Sequence, residues 1–159
     1  LIDFVAALKI LIDAEVRFVV VGGVAATLHG LNYITTDLDI CYARDQENLM
    51  RVCRTLSPFH PRLRGAPADL PFRFDEETLR RGMNFTLTTD LGDIDLLGEI
   101  AGVGDYAVAS ALSKPMEIVG RSFIILTLDA LIASKKAAGR IKDLQALPEL
   151  EAIREITKE

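Results

Sequence analysis

Three aspartates define the chemistry open to this chain. Asp37 and Asp39 are separated by one residue in Thr36-Asp37-Leu38-Asp39-Ile40, and Asp95 stands in the later run Gly92-Asp93-Ile94-Asp95-Leu96-Leu97. Strand side chains alternate with period two, so Asp37 and Asp39 share a face of their strand, as Asp93 and Asp95 do of theirs. Carboxylates that converge from neighbouring strands offer the hard oxygen ligands taken by Mg²⁺, the usual companion of nucleotide phosphates. Upstream, the apolar run Phe18-Val19-Val20-Val21 ends in Gly22-Gly23, where the bare backbone can approach a phosphate. In this order the pieces read as a site for nucleotide transfer. Singly they carry little, because Asp-x-Asp is commonly a turn, a cap or a solvated edge and Gly-Gly commonly only a turn.

The elements that position these residues follow from pattern. Asp3 caps a helix over Phe4–Ala14 with Phe4, Leu8, Leu11 and Ile12 on one face. Phe18–Val21 reads as a strand buried on both sides. Val24–His29 makes a short helix closed by Gly30, Leu38–Tyr42 the next strand, and Glu47–Leu56 a helix burying Leu49, Val52 and Leu56. Pro58, Pro61, Pro67 and Pro71 exclude regular helix and central strand from residues 57–74, a long Pro/Arg-rich loop. One or two helical turns follow at Asp75–Arg81. Hairpins are expected over Asn84–Thr89 with Asp93–Leu97, and over Met116–Val119 with Ser122–Ile125. Thr127 caps a helix Leu128–Ala138, and Asp143–Glu159 closes the chain as helix interrupted at Pro148. With no internal repeat or linker, residues 1–159 read as one α+β domain whose last helices span 128–159.

Composition narrows the function classes. The chain has 159 residues, half of them hydrophobic and 26% charged, a globular balance. No apolar run approaches the roughly 20 residues that span a bilayer. The N-terminal segment is broken by Asp3, Lys9, Asp13, Glu15 and Arg17, unlike a signal peptide. It starts at Leu1, which suggests that a few residues precede it. The two cysteines, Cys41 and Cys53, suit a reducing cytoplasm, and with His29 and His60 they lack zinc-ligand spacing. A net charge of −5 argues against a broad nucleic-acid coat. Basic residues nevertheless cluster at Arg62, Arg64, Arg73, Arg80 and Arg81, and again at Lys135, Lys136, Arg140 and Lys142. The first group reads as solvated surface. Cys41, although on the Asp39 side of its strand, reads as a small buried hydrophobe, and His29 as a helix-end packing residue rather than a base.

The ordered series Val21-Gly22-Gly23-Val24-Ala25-Ala26, His29-Gly30, Thr35-Thr36-Asp37-Leu38-Asp39-Ile40 and Asp95-Leu96-Leu97 resembles the nucleotidyltransferase superfamily of DNA polymerase beta. It is nearer to small prokaryotic members related to abortive-infection toxins. Leu128-Asp129-Ala130-Leu131 through Lys135, Ala138, Arg140 and Lys142-Asp143 extends the likeness across nearly the whole chain. The resemblance implies the nucleotidyltransferase fold, a small mixed sheet flanked by helices. It also implies that Asp37 and Asp39 hold the Mg²⁺ (or Mn²⁺) that carries the nucleotide. Asp95 then helps hold a second ion and favours deprotonation of an acceptor hydroxyl, with Asp93 ranked behind it. Gly22 and Gly23 cradle phosphates. Lys135 makes a cationic phosphate contact, with Arg140 and Lys142 next. Three departures stand out: Gly-Gly replaces the Gly-Ser of the wider superfamily, Tyr33 stands where relatives carry arginine, and Ile141 where they carry proline.

The implied activity is transfer of NMP from an NTP, ATP among them, to a hydroxyl with release of pyrophosphate. The acceptor is a tRNA end, a protein side chain or a small molecule such as an aminoglycoside. A cognate antitoxin or other partner protein fits the toxin likeness, and no membrane is involved. Two alternatives stay open. One is a catalytically inactive nucleotide-binding or protein-interaction module of the same fold. The other is a metal-dependent phosphohydrolase, which needs an activated water and usually a histidine or a further acidic ligand.

Overall fold

The computed structural model describes residues 2–32 and 34–157. Tyr33 lies outside them, as do Lys158 and Glu159 at the expected end of the last helix. The elements run α1 (Phe4–Asp13), β1 (Phe18–Val21), α2 (Gly22–Leu28), β2 (Asp37–Tyr42), α3 (Gln46–Leu56), a 3₁₀ turn Ser57–Phe59, β3 (Arg62–Leu63), α4 (Glu76–Arg81), β4 (Asn84–Thr89) and β5 (Gly92–Leu97). Then come β6 (Glu99–Ile100), β7 (Gly104–Asp105), α5 (Tyr106–Ala111), β8 (Ser113–Ile118), β9 (Arg121–Leu126), α6 (Leu128–Ala138) and α7 (Ile141–Thr157).

Seven strands form one mixed sheet in the order β3-β4-β5-β2-β1-β9-β8. The pair that matters most is β2 with β5. They are parallel, in a register that sets Asp37 beside Asp93 and Asp39 beside Asp95. On its other side β2 pairs antiparallel with β1, Val21 opposite Asp39. All four residues of β1 are buried, as expected of a strand covered on both faces. Phe18, Val20, Leu38, Ile40, Ile94 and Leu96 point into the larger apolar cluster with Leu8, Leu11, Leu49, Val52 and Leu56 of α1 and α3. The opposite parity, Val19, Val21 and Cys41, packs with Ala109, Leu126 and Ala130. Asp37 and Asp39 share that second parity, so the sheet itself turns them towards the α6 side.

Local contacts lock this frame. Asp3, Asp45, Asp75, Asp105 and Thr127 each accept a backbone N–H as side-chain caps of α1, α3, α4, α5 and α6. Asn48, fully buried, accepts from Arg17 N–H and donates to the Arg17 and Ala43 carbonyls, tying the start of β1 to the end of β2. Arg44 donates to the carbonyls of Leu79, Arg80 and Gly82, where the C-terminal end of α4 is negative.

One expectation needs correction. The final helix is not interrupted at Pro148; α7 runs through it. A proline inside a helix costs about 3 kcal/mol, and buried Leu150 with Ala146, Leu147 and Ile153 on the apolar cluster supplies packing on both sides of it. In the segment 57–74, where central strand is excluded, the two-residue β3 lies at the sheet edge, where proline neighbours are tolerated. Residues 99–111 form β6, β7 and α5.

His29 caps the C-terminal end of α2, and its Nε2–H donates to the Leu126 carbonyl at 2.7 Å. This is the packing role expected of it. Burial pushes the imidazole below its ordinary pKa, against the opposing effect of that hydrogen bond. A depressed folded-state pKa means that the contribution is present above the unfolded value of about 6.5 and is lost as pH falls through the folded one. The melting temperature of the wild type is therefore expected to fall more steeply than that of His29→Gln between about pH 7.5 and pH 5. Parallel profiles in the two proteins would contradict the role.

Candidate active site

The site forms where β1 ends and β2 begins. Strand β1 delivers Gly22 directly against the Asp39 side chain. The glycine has φ +64, and a Cβ there would meet Asp39 Oδ2 at 2.1 Å and Cγ at 2.8 Å. Only glycine permits both the backbone conformation and the contact. Helix α2 starts at Gly22 itself, two residues earlier than the pattern suggested, and its N-terminal end has no side-chain cap.

Register then gathers the acids. Asp37, Asp39 and Asp95 each bring one carboxylate oxygen to a point where all three lie within 4.8 Å of one another. Asp93 shares their face but falls outside this trio. Like charges so close raise one another's pKa, and burial adds to the effect. Burial, then the charges of Asp37 and Asp95, push the Asp39 carboxyl up to about 8. Burial also raises Asp95, with Arg64 acting in the opposite sense. Asp39 Oδ1 is buried with no hydrogen-bond partner among the described residues. A buried orphan acceptor is costly unless something fills it.

Arg64 is the residue that sequence reasoning misplaced. With its neighbours it reads from the sequence as solvated surface. Instead its Nη2 donates to Asp95 Oδ1 at 2.5 Å, its Nε lies 3.3 Å from Asp93, and its Nη1 lies 3.9 Å from Asp37. The cause is the edge strand β3, whose pairing with β4 carries Arg64 over the acidic face. No local spacing signals this, because the contact depends on strand order. Arg62, Arg80 and Arg81 are exposed as expected.

The acids open into a cleft of about 640 Å³, within the roughly 300–1,000 Å³ usual for small-molecule sites. Gly22, Gly23, Lys135, Arg140 and Lys142 all line it. The structure therefore brings the candidate site residues other than Asp93 to one cleft. The cations are not equally available. Lys135 donates to Asp143 at 3.3 Å, and Arg140 to the same carboxylate at 2.7 Å. Asp143 is fully buried. Burial works to raise its pKa, but the hydrogen bonds from Arg140 and Lys135 prevail and hold the carboxyl below its ordinary value. Asp143 thus fixes two cations against the cleft, a positioning role that sequence reasoning did not assign. The i,i+3 spacing from Arg140 to Asp143 at the start of α7 was the available signal. Cys41 is buried and burial pushes its thiol up to about 12, consistent with packing alone.

No family model and no curated protein matches the sequence. Solved structures do match. A candidate nucleotidyltransferase from Thermotoga maritima is 18% identical over 94% of this chain and 93% of its own, TM-score 0.58. The lincosamide antibiotic adenylyltransferase LnuA, lincomycin-bound, is 15% identical over 94% and 95%, TM-score 0.62. An antigenic nucleotidyltransferase-like protein from Paracoccidioides brasiliensis is 15% identical over 94% and 72%, TM-score 0.56. The chain has the nucleotidyltransferase fold: a central mixed sheet flanked by helices, with an acidic trio that could hold a metal ion.

Gly22→Ala tests the tight contact at Asp39. The left-handed conformation alone costs about 1–2 kcal/mol, measurable by urea denaturation, and the methyl must displace the Asp39 carboxylate. Mn²⁺ affinity is expected to drop by about tenfold or more. Unaltered Mn²⁺ affinity would show that the contact does not set the carboxylate's position.

Proposed function

We propose that this chain is a Mg²⁺-dependent nucleotidyltransferase that moves NMP from an NTP to an acceptor hydroxyl and releases pyrophosphate. One observation carries the reading: three carboxylates from two parallel neighbouring strands converge beside a glycine, at the mouth of a cleft lined with fixed cations. The donor set fits Mg²⁺ or Mn²⁺, being all hard oxygen, and Asp39 carries a buried oxygen, Oδ1, with no hydrogen-bond partner among the described residues. Asp37, Asp39 and Asp95 would hold the metal. A bound divalent cation there would polarise the α-phosphate and favour ionisation of the attacking hydroxyl.

The chain's own residues supply the rest. Gly22 lets the backbone pass directly against the Asp39 carboxylate, and Gly22 and Gly23 line the cleft where a phosphate would lie. Lys135 and Arg140, held by Asp143, are placed to neutralise phosphate charge, with Lys142 at the cleft wall. Leu31, Ile34 and Ala146 line the cleft and offer apolar surface to a base. Asp95 lies furthest towards the sheet edge and is placed to receive the hydroxyl proton as the new ester bond forms and the bond to pyrophosphate breaks. The whole chain, 1–159, acts as one unit in this reading.

The donor is ATP by analogy with the adenylyltransferase LnuA. Lincomycin on that protein supports a small-molecule acceptor. The likeness of the sequence motifs to abortive-infection toxins supports an RNA or protein acceptor, with a cognate antitoxin as partner. A second reading, a catalytically inactive module of the same fold, draws on Arg64, which neutralises the acids from within.

Thermal stability in Mg²⁺ with each of the four NTPs, paired with an assay of pyrophosphate release, separates the two readings. A ligand specific for the native state adds about 2.7 kcal/mol at one hundred times its dissociation constant. Mg²⁺-dependent stabilisation by one NTP, lost in a folded Asp39→Asn, is the expected result. No shift with any NTP favours the inactive module.

A further inference from the structure

Arg64 is built into the acidic cluster at the level of the backbone. Its N–H donates to the Thr86 carbonyl at 2.9 Å, extending the β3–β4 pairing by one residue. From that anchor the guanidinium reaches across β4 towards β5, where Nη2 donates to both the Leu87 carbonyl and Asp95 Oδ1. Its other nitrogens face Asp93 and Asp37. Three of the four acids on this face thus share one organic cation. Asp39, the acid it does not touch, is the one left with an orphaned oxygen.

A divalent cation bonded to Asp95 at the roughly 2.0–2.1 Å that Mg²⁺ requires would face a guanidinium hydrogen-bonded to the same carboxylate. Two cations at that separation repel strongly in a partly buried site. The side chain has somewhere to go. It is 30% exposed, and the chain turns immediately afterwards at Gly65, φ +78, with open space around the glycine.

We propose that Arg64 is a displaceable counter-cation: it holds Asp95 in the metal-free protein and must yield it before a divalent cation can be held by all three acids. The inference rests on the metal-binding reading given above. Loading is then ordered. Asp37 and Asp39 accept a cation first, and Asp95 joins only as the guanidinium leaves. Arg64 lowers metal affinity in the absence of nucleotide, so it is a positioning residue whose removal tightens binding.

The test is a Mn²⁺ titration without nucleotide, following the paramagnetic resonance signal of the unbound ion. Arg64→Ala is expected to bind Mn²⁺ about tenfold more tightly than the wild type or tighter still. Arg64→Gln, which keeps a neutral donor for the Leu87 carbonyl, should show the same gain and stands in if the alanine variant fails to fold. Arg64→Lys should return affinity towards the wild-type value, because the positive charge is restored. Arg62→Ala, altering an exposed neighbour on the same strand, should leave it unchanged. Unchanged or weaker binding in folded Arg64→Ala and Arg64→Gln, with binding still abolished by Asp39→Asn, overturns the proposal alone. Absence of Mn²⁺ binding in the wild type and both Arg64 variants overturns the metal reading along with it.

Discussion

Four carboxylates on one face of two adjacent strands repel one another, and the site depends on how that repulsion is balanced. The register of β2 against β5 sets Asp37 by Asp93 and Asp39 by Asp95. Nothing about strand pairing favours this; acidic pairs at such spacing oppose folding. Arg64 and a carboxyl at Asp39 raised to about 8 offset that repulsion. Both are makeshift in chemical terms, since one oxygen is still left without a partner. A divalent cation is the group that would satisfy all of these at once, which is why the cluster supports a functional reading over a purely structural one.

The rest of the fold serves to keep that unfavourable grouping in place. Strand β1 is buried throughout and pairs with β2 on the side away from β5, so β2 cannot shift register without exposing Leu38 and Ile40. Asn48 ties the far ends of β1 and β2 together through three hydrogen bonds. On the facing wall, buried Asp143 performs the mirror task. It gathers Lys135 and Arg140 from the α6–α7 junction and keeps cationic charge opposite the acidic strands. The cleft between them has negative charge on one side and positive on the other, the arrangement that suits a metal-bound polyphosphate.

How much of this was legible in the sequence follows the range of the interactions. Residues that act through local periodicity were plain: the Asp37/Asp39 parity, the all-apolar β1, the glycine turn and the Thr127 cap needed only neighbours to interpret. Pairing of β2 with β5 was reachable because both strands carry alternating acids. Arg64 was not, since its role arises from the position of β3 at the edge of β4 and no nearby residue marks it. Elements β6, β7 and α5 are too short to carry a period, although Asp105 as a cap was there to be read. Pro148 misled for a related reason. A local helix-breaking rule lost to packing of Leu150 and Ile153, in the same helix, against the apolar cluster.

The central claim is that the β2 and β5 acids hold a divalent cation beside a nucleotide. Anomalous scattering from crystals grown with Mn²⁺ and a non-hydrolysable NTP tests it most directly. The account predicts a manganese peak bonded to Asp37 and Asp39, with the triphosphate along Gly22 and Lys135. A peak absent from these carboxylates, with the nucleotide elsewhere or unbound, would contradict it.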